Sequence, residues 1–509
     1  MNLASAFAES AERHLSKTAA FWGERQYSYK HFRDQAGWVS RQLLEAHGIR
    51  PGERVGIWLK NCPEFISAVF GILHAGAVVV PINNFLKADE VGFILQDAGV
   101  RLLITEGDAG EALVRLAEAL PGLRFLKVEA FPAVPPDAAL PAAPPRDEND
   151  LAVLIYTSGT TGHPKGAMLS HGNLLHNLAS CKVVLEAVDA DRFALVLPMF
   201  HSFMLTVCLL LPLMVGGSIV LVKSLHPVKN LLHEIMAHQA TVLAAIPQLY
   251  RALTHTPAPP DLPLRLCVSG AAPLPLETLR EFSAKYPVTL IEGYGLSEAS
   301  PVVSMNPIHG LRKPGSIGLP ILNVEVAILD EAGTELPRGQ TGEVCVRGGN
   351  VMSGYWNKPD ETAKALRNGW LFTGDIGHMD ADGYIYITDR KKDMLLVNGI
   401  NVYPREIEEV MYHFPGVREA AVIGWPDPRK GEQPVAYVSL EDGAQIDEGA
   451  LLHFLRYKLA DYNVPRRVFQ LPNLPRNATG KILKTTLRSL RAQSQPAAAR
   501  SSGSCGSPA

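Results

Sequence analysis

Short apolar runs rich in β-branched residues alternate with helical patterns along most of the chain, and this alternation limits the fold more than any other feature. Residues 54–59 (RVGIWL), 77–81 (AVVVP), 102–105, 152–155, 194–197, 242–246 and 288–291 each read as a buried strand. Strands that alternate with helices predict parallel sheets covered by helices. A chain of 509 residues is also too long for a single core. Its 43 glycines and 38 prolines are spread along the chain, as in a loop-rich α/β enzyme.

Residues 204–222 (MLTVCLLLPLMVGGSIVLV) carry no formal charge and approach the length of a membrane span. Pro212 would interrupt such a helix, and Gly216-Gly217-Ser218 reads as a stop and turn. The expectation is a buried helix, a turn and a buried parallel strand. Residues 131–150 are rich in Pro and Ala and predict a surface loop. From residue 317 to 347 short strands and Gly/Pro turns suggest a small β-rich subdomain. The charged cluster Arg390-Lys391-Lys392-Asp393 then precedes a segment with its own helix (404–413) and strand (420–423). The fold class expected is α/β: a large N-terminal domain (1–389) of parallel-sheet subdomains plus the β-rich subdomain. A small, mobile α+β domain follows (390–490), then a disordered tail (491–509).

A net charge of −3 is close to neutral, so charge alone gives no sign of a polyanion partner, and no nucleic acid is expected. The six cysteines are scattered, with no C-x-x-C pair, which points away from a zinc cage or disulfide framework and toward a reducing cytoplasm. The first residues lack the apolar core of a signal peptide, and Ser507-Pro508-Ala509 is not a peroxisomal address.

The strongest local signal is Tyr156-Thr-Ser-Gly-Thr-Thr-Gly-His-Pro-Lys-Gly166, directly after an apolar strand. Glycines, hydroxyls and backbone N–H groups in such a loop can wrap phosphate oxygens, and Lys165 adds a mobile positive charge. It is not a Walker A loop, because Pro164 takes a position that motif gives to glycine and Gly166 follows the lysine.

This loop resembles the signature of the AMP-binding, adenylate-forming superfamily, which includes acyl-CoA synthetases, non-ribosomal adenylation domains and luciferases. Further matching motifs follow in order: PMFH (198–201), SGAAPL (269–274), EGYGLSE (292–298), GWLFTGD (369–375), TDRKKDMLLVNGINVYPREIEE (388–409) and PRNATGK (475–481). The chain is most similar to bacterial fatty-acid–CoA ligases. The resemblance implies that Thr157, Ser158, Gly159, Thr160, Thr161, Gly162 and Lys165 bind the phosphates of ATP. It implies that Tyr294 and the backbone of Gly270, Ala271 and Ala272 flank adenine, that Glu292, Gly293 and Gly295 also bind ATP or AMP, and that Ser297 reaches the α-phosphate, where the family more often has threonine. Glu298 would bind Mg²⁺, and Asp375 and Arg390 the ribose. Lys481 would bridge carboxylate and phosphate, Lys392 would be the hinge, and the Gly399 loop would line the thiol tunnel. An acyl pocket is expected from Phe200, His201, Phe203, Ile246, Val268, Gly295 and Ala299, with His201 as a wall rather than a base.

The implied reaction activates a carboxylic acid, expected to be a medium- or long-chain fatty acid, as acyl-AMP. The acyl group then passes to coenzyme A, or alternatively to a carrier protein's phosphopantetheine; an aryl or short-chain acid is the other alternative. A carboxylate is already nucleophilic, so the chemical demand is for positive charge, met by Mg²⁺, Lys165 and Lys481. A luciferase-like use of the adenylate has no specific support, and a non-catalytic binder would not need Lys165, Glu298, Asp375, Arg390 and Lys481 together. The sequence leaves a homodimer open.

Overall fold

All of the apolar runs become strands in the computed structural model, which describes residues 1–136, 143–157, 164–398, 400–427, 431–476 and 482–494. Contacts divide the chain after Ile387. In the first unit, a six-stranded sheet has the spatial order Arg124–Lys127, Leu102–Thr105, Arg54–Trp58, Val78–Pro81, Leu151–Thr157 (β1) and Lys165–Ser170 (β2). Its strands are parallel except for the antiparallel pair β1–β2. Side chains on a strand point alternately to its two faces, and here both faces are buried. Val79, Leu102, Ile104, Val153 and Ile155 enter the main core, while Val78, Val80, Leu103 and Leu154 enter a second one. That is why these strands read as continuous apolar runs rather than alternating ones. Each such side chain contributes roughly 1.5–3 kcal/mol by leaving water.

A nine-stranded sheet runs Arg25–Ser28, Thr18–Trp22, Ser218–Leu221, Arg192–Leu195, Val242–Ala245, Leu266–Ser269 (β3), Thr289–Gly295 (β4), Val302–Met305 and Leu319–Pro320. It is parallel from Thr18–Trp22 to β4 and antiparallel at both ends. Residues 204–222 give the expected helix, turn and strand, with one difference. The helix does not stop before Pro212: Met204–Leu210 winds as a π-helix and Leu211–Val215 continues as an α-helix. The Leu211 N–H donates to Thr206 O, an i→i−5 bond. Pro212 then falls in the first turn of the α-helical part, where its missing N–H is tolerated. Gly216, at φ 86°, ends the helix in the left-handed region. Among the described residues no helix is long and apolar enough to cross a membrane.

The β-rich subdomain extends past residue 347. Val324–Leu329, Gly342–Gly348, Trp370–Met379 (β5) and Leu366–Arg367 form an antiparallel path, with Ile385–Arg390 also paired to β5. Strand β5 (WLFTGDIGHM) mixes glycine and charge with apolar residues, so it gives no clean apolar run. The turn after it is a hairpin. One Asp380 carboxylate oxygen accepts the N–H groups of Asp382 and Tyr384 at 3.0 and 2.9 Å, and Lys313 neutralises Asp380 and Asp382.

In the second unit Val417–Asp427 and Gly431–Leu440 form a long antiparallel hairpin. Ala420, Val422, Ala436 and Val438 pack with Ile407, Met411, Leu451 and Leu455 of helices Pro404–Met411 and Glu448–Lys458. The opposite face, Ala421, Ile423, Val435 and Tyr437, packs with Leu474 and Leu487. The last helix, Lys484–Ser494, runs beyond the expected limit at residue 490. It binds the segment that follows the hinge position: Lys484 pairs with Glu408 at 2.8 Å and Arg488 with Asp393 at 2.9 Å.

Helix His171–Val184 yields a pH prediction. His171 is buried behind the N-cap Ser170, and its Nδ1 accepts the Leu3 N–H at 3.2 Å. Burial, then the charge of Arg146, lowers its pKa to about 4. The unfolded chain takes up that proton near pH 6.5 and the folded chain does not, so stability present above about 6.5 is lost as pH falls toward about 4. His171→Gln keeps an acceptor and should recover up to about 2 kcal/mol of the loss between about pH 7 and 5. Urea unfolding at the two pH values checks this, and an undiminished acid loss in the variant contradicts it.

Candidate active site

The glycine-rich loop is closed by its own flanks. Strands β1 and β2 pair with Thr157 opposite Lys165 and Tyr156 opposite Gly166. Ser158, Gly159, Thr160, Thr161 and Gly162 lie outside the described residues. Gly166 cannot be replaced cheaply, because an added Cβ would lie 2.9 Å from the Leu154 side chain.

Around Lys165 the chain assembles charged and hydroxyl groups from distant segments. The ammonium pairs with the Glu361 carboxylate and lies 5.4 Å from the centre of the Tyr355 ring. The Tyr355 hydroxyl donates to Glu298 Oε1 at 2.9 Å, and the Thr157 hydroxyl lies 3.4 Å from the same oxygen. Burial, then the charge of Glu298, pushes the Tyr355 phenol well above its ordinary range, so it stays a donor. Lys165, and to a smaller degree Lys364, holds Glu361 ionised with a pKa of about 2. Neither Tyr355 nor Glu361 was expected from the sequence. Only a Tyr-Trp pair ahead of the proline-started helix Pro359–Ala365 marks their segment.

Glu298 itself is fixed by its backbone. It lies on the single 3₁₀ turn Ser297–Ala299, whose C-cap Ser300 has φ 70°. Glu298 O accepts the Met352 N–H at 2.9 Å, Ala299 O accepts from the buried Asn350 side chain at 2.9 Å, and Ser300 O accepts from Thr206 at 3.2 Å. Ser297 Oγ lies 3.0 Å from Ser202 Oγ. A carboxylate held this way is pre-organised for a cation. Among the described residues Oε2 of Glu298 has no partner, and no group of three or more His, Cys, Asp or Glu could cage a metal. One carboxylate beside this glycine-rich segment suits Mg²⁺, which takes one or two protein carboxylates and completes its shell with phosphate and water.

The second wall is built by β3, β4 and β5. After β3 the chain turns through Gly270, Ala271 and Ala272, with Ala271 strained at φ 66°. Glu292 of β4 steadies this turn, its Oε1 accepting the Leu274 N–H at 3.0 Å. The Tyr294 hydroxyl donates to Asp375 of β5 at 2.5 Å. Glycine is required at 295, where a Cβ would lie 2.2 Å from Pro301 O. At Gly293 the nearest atom to a Cβ would be Met305 Cε at 3.2 Å.

Of the expected acyl-pocket residues, Phe200, Phe203, Val268 and Ala299 are buried, Ile246 and His201 partly so, and Gly295 exposed. The Phe203 ring lies against Gly270 and so joins the pocket residues to the β3 turn. Desolvation lowers the His201 pKa to about 4, and its Nδ1 accepts the Phe203 N–H at 3.3 Å. The neutral ring therefore carries its proton on Nε2. Arg390 and Lys392 belong to the second unit, where the Asp389 carboxylate accepts the N–H groups of Arg390 and Arg405. Gly399 and Lys481 lie outside the described residues.

If Tyr355 orients Glu298 for a cation, Tyr355→Phe should raise the Mg²⁺ concentration for half-maximal pyrophosphate release by about tenfold, the usual effect of losing a group that orients a metal ligand. Glu298→Gln should raise it further. A Mg²⁺ titration unchanged in both variants contradicts the assignment.

Comparison with known proteins shows the family. The model of the AMP-binding enzyme family matches residues 7–356, and that of the AMP-binding enzyme C-terminal domain matches residues 406–481. A long-chain-fatty-acid–CoA ligase of Bacillus subtilis (strain 168) is 36% identical over 95% of this chain and 94% of its own. A feruloyl-CoA synthase of an Amycolatopsis species is 38% identical over 87% of this chain and 90% of its own. The crystal structure of ATP-bound MatB from Rhodopseudomonas palustris is similar with a TM-score of 0.89 and 34% identity, covering 96% of this chain and 99% of that one. The chain therefore belongs to the AMP-binding enzyme family, as an AMP-forming acyl-CoA synthetase that works with ATP, Mg²⁺ and coenzyme A.

Proposed function

We propose that the acid is a medium- or long-chain fatty acid and that it is activated beside Lys165, Glu298 and the β3–β4 wall. One observation carries the substrate reading. The residues expected to line the acyl pocket are apolar or small, except for a histidine that desolvation keeps neutral. None of them offers a charge to a second polar group of the acid, and such a lining suits an aliphatic chain. The likeness to a long-chain-fatty-acid–CoA ligase supports this, and the likeness to a feruloyl-CoA synthase supports an aryl acid as the second reading.

In the first step the ionised carboxylate attacks the α-phosphorus, an O–P bond forms, and the bond to pyrophosphate breaks. No general base is needed. Residues 157–165 surround the phosphates, Ser297 reaches the α-phosphate, and Lys481 bridges the two anions. Ala271, exposed and in the left-handed region, and Tyr294 flank adenine, while Asp375 and Arg390 take the ribose. Glu298 holds Mg²⁺, which, when bound with ATP, supplies positive charge against the triphosphate. In the second step the CoA sulfur attacks the acyl carbon, a C–S bond forms, and AMP leaves. The domain from residue 390 turns about Lys392 between the steps, exchanging Lys481 for the Gly399 loop. CoA is the acceptor in this reading, with a carrier-protein phosphopantetheine the alternative, and the five described cysteines, none of them in a disulfide, favour a reducing cytoplasm.

A panel from octanoate to stearate, with ferulate and benzoate, tests the substrate by AMP formation with CoA or a pantetheinylated carrier protein. A fatty acid should exceed the aryl acids by at least about a hundredfold in kcat/KM; an aryl acid in first place contradicts the reading. Lys481→Ala should slow adenylation by at least about a hundredfold and leave thioester formation from supplied acyl-AMP within about threefold. Equal loss in both half-reactions contradicts the role of Lys481.

A further inference from the structure

We propose that Glu361 is a positioning residue for ATP: it occupies a phosphate's place on Lys165 and gives it up when the triphosphate binds. Glu361 thereby sets the affinity for ATP and the ease with which pyrophosphate leaves. The proposal rests on the assignment of Lys165 to the phosphates.

Three features of the site carry it. Lys165 is the first residue of β2, and its backbone is fixed by pairing with Thr157. Its ammonium can therefore change partners only by moving its side chain, which is 12% exposed. That ammonium pairs with Glu361 and lies over Tyr355, the residue that holds Glu298. A carboxylate and a phosphate bind an ammonium in the same way, through charge-assisted hydrogen bonds to anionic oxygen. The triphosphate must therefore compete with Glu361 for this cation.

The position of Glu361 is built rather than incidental. The side chain of its neighbour Thr362 accepts the Tyr355 N–H at 2.8 Å and ties the start of helix Pro359–Ala365 to the aromatic floor under Lys165. Glu361 also has a second cation in reserve. Lys364, one turn on along the helix and 73% exposed, binds its Oε1 at 2.8 Å. When Lys165 leaves, the carboxylate keeps Lys364 and is not stranded without a partner. The exchange moves one ammonium from carboxylate to phosphate and back, so bound pyrophosphate gains a local competitor that favours its release.

The test uses the full-length enzyme with saturating acid and CoA. Glu361→Gln should lower KM for ATP and the inhibition constant of pyrophosphate by about five- to tenfold, the scale of one partly exposed ion pair. Equilibrium binding of ATP without acid should tighten equally. Asp360→Asn removes the same charge from an exposed neighbouring position and should change KM by less than about twofold. In a Lys165→Met background the Glu361→Gln gain should vanish, because the competition needs the lysine. A KM for ATP that is unchanged or raised in Glu361→Gln overturns the proposal. So does an equal gain in Asp360→Asn, or one that survives in Lys165→Met. If Lys165→Met alone leaves ATP binding unchanged, it is the phosphate assignment that fails.

Discussion

The site depends on the backbone pairing of Thr157 with Lys165. Closing a glycine-rich loop between two antiparallel strands brings its ends to adjacent positions and fixes the lysine's Cα relative to the threonine hydroxyl. Without that closure a chain segment rich in Gly, Ser and Thr would lose more conformational entropy on ordering around a ligand. With it, the lysine meets Tyr355 and Glu361, the threonine meets Glu298, and groups from four segments share one small volume.

The chemistry of this enzyme class is a problem of bringing anions together, and the distribution of charge answers it. Lys165, the cation proposed to meet phosphate, already has a carboxylate partner, while among the described residues the Glu298 side chain accepts hydrogen bonds only from neutral hydroxyls. Neutral donors orient a carboxylate without cancelling its charge, which leaves Glu298 able to attract Mg²⁺. His201 contributes no charge, consistent with a first step whose nucleophile is already ionised.

Much of the fold was legible because sheets buried on both faces write themselves as continuous apolar runs, as in residues 77–81 and 102–105. The full length of strand β5 was not, because its glycines and Asp375 break the run, and helical winding through Pro212 was hidden because a π turn leaves no mark in local sequence. In the site, the motifs gave Lys165, Glu298, Tyr294 and Asp375 their places in the chain. The hydrogen bond of Tyr294 to Asp375 brings two of those motifs together. Tyr355 and Glu361 were invisible for a physical reason: they join the site only through side-chain contacts, and 196 residues separate Lys165 from Glu361. No local pattern encodes a contact over that span.

The central claim is that the acid's own oxygen attacks the α-phosphorus and leaves with AMP. The direct measurement is isotope transfer from a fatty acid labelled with oxygen-18 in its carboxylate, followed by mass analysis of the products after turnover with ATP, Mg²⁺ and CoA. The account predicts that AMP carries a single labelled oxygen and that pyrophosphate carries none. Unlabelled AMP, or label in pyrophosphate or inorganic phosphate, would contradict it.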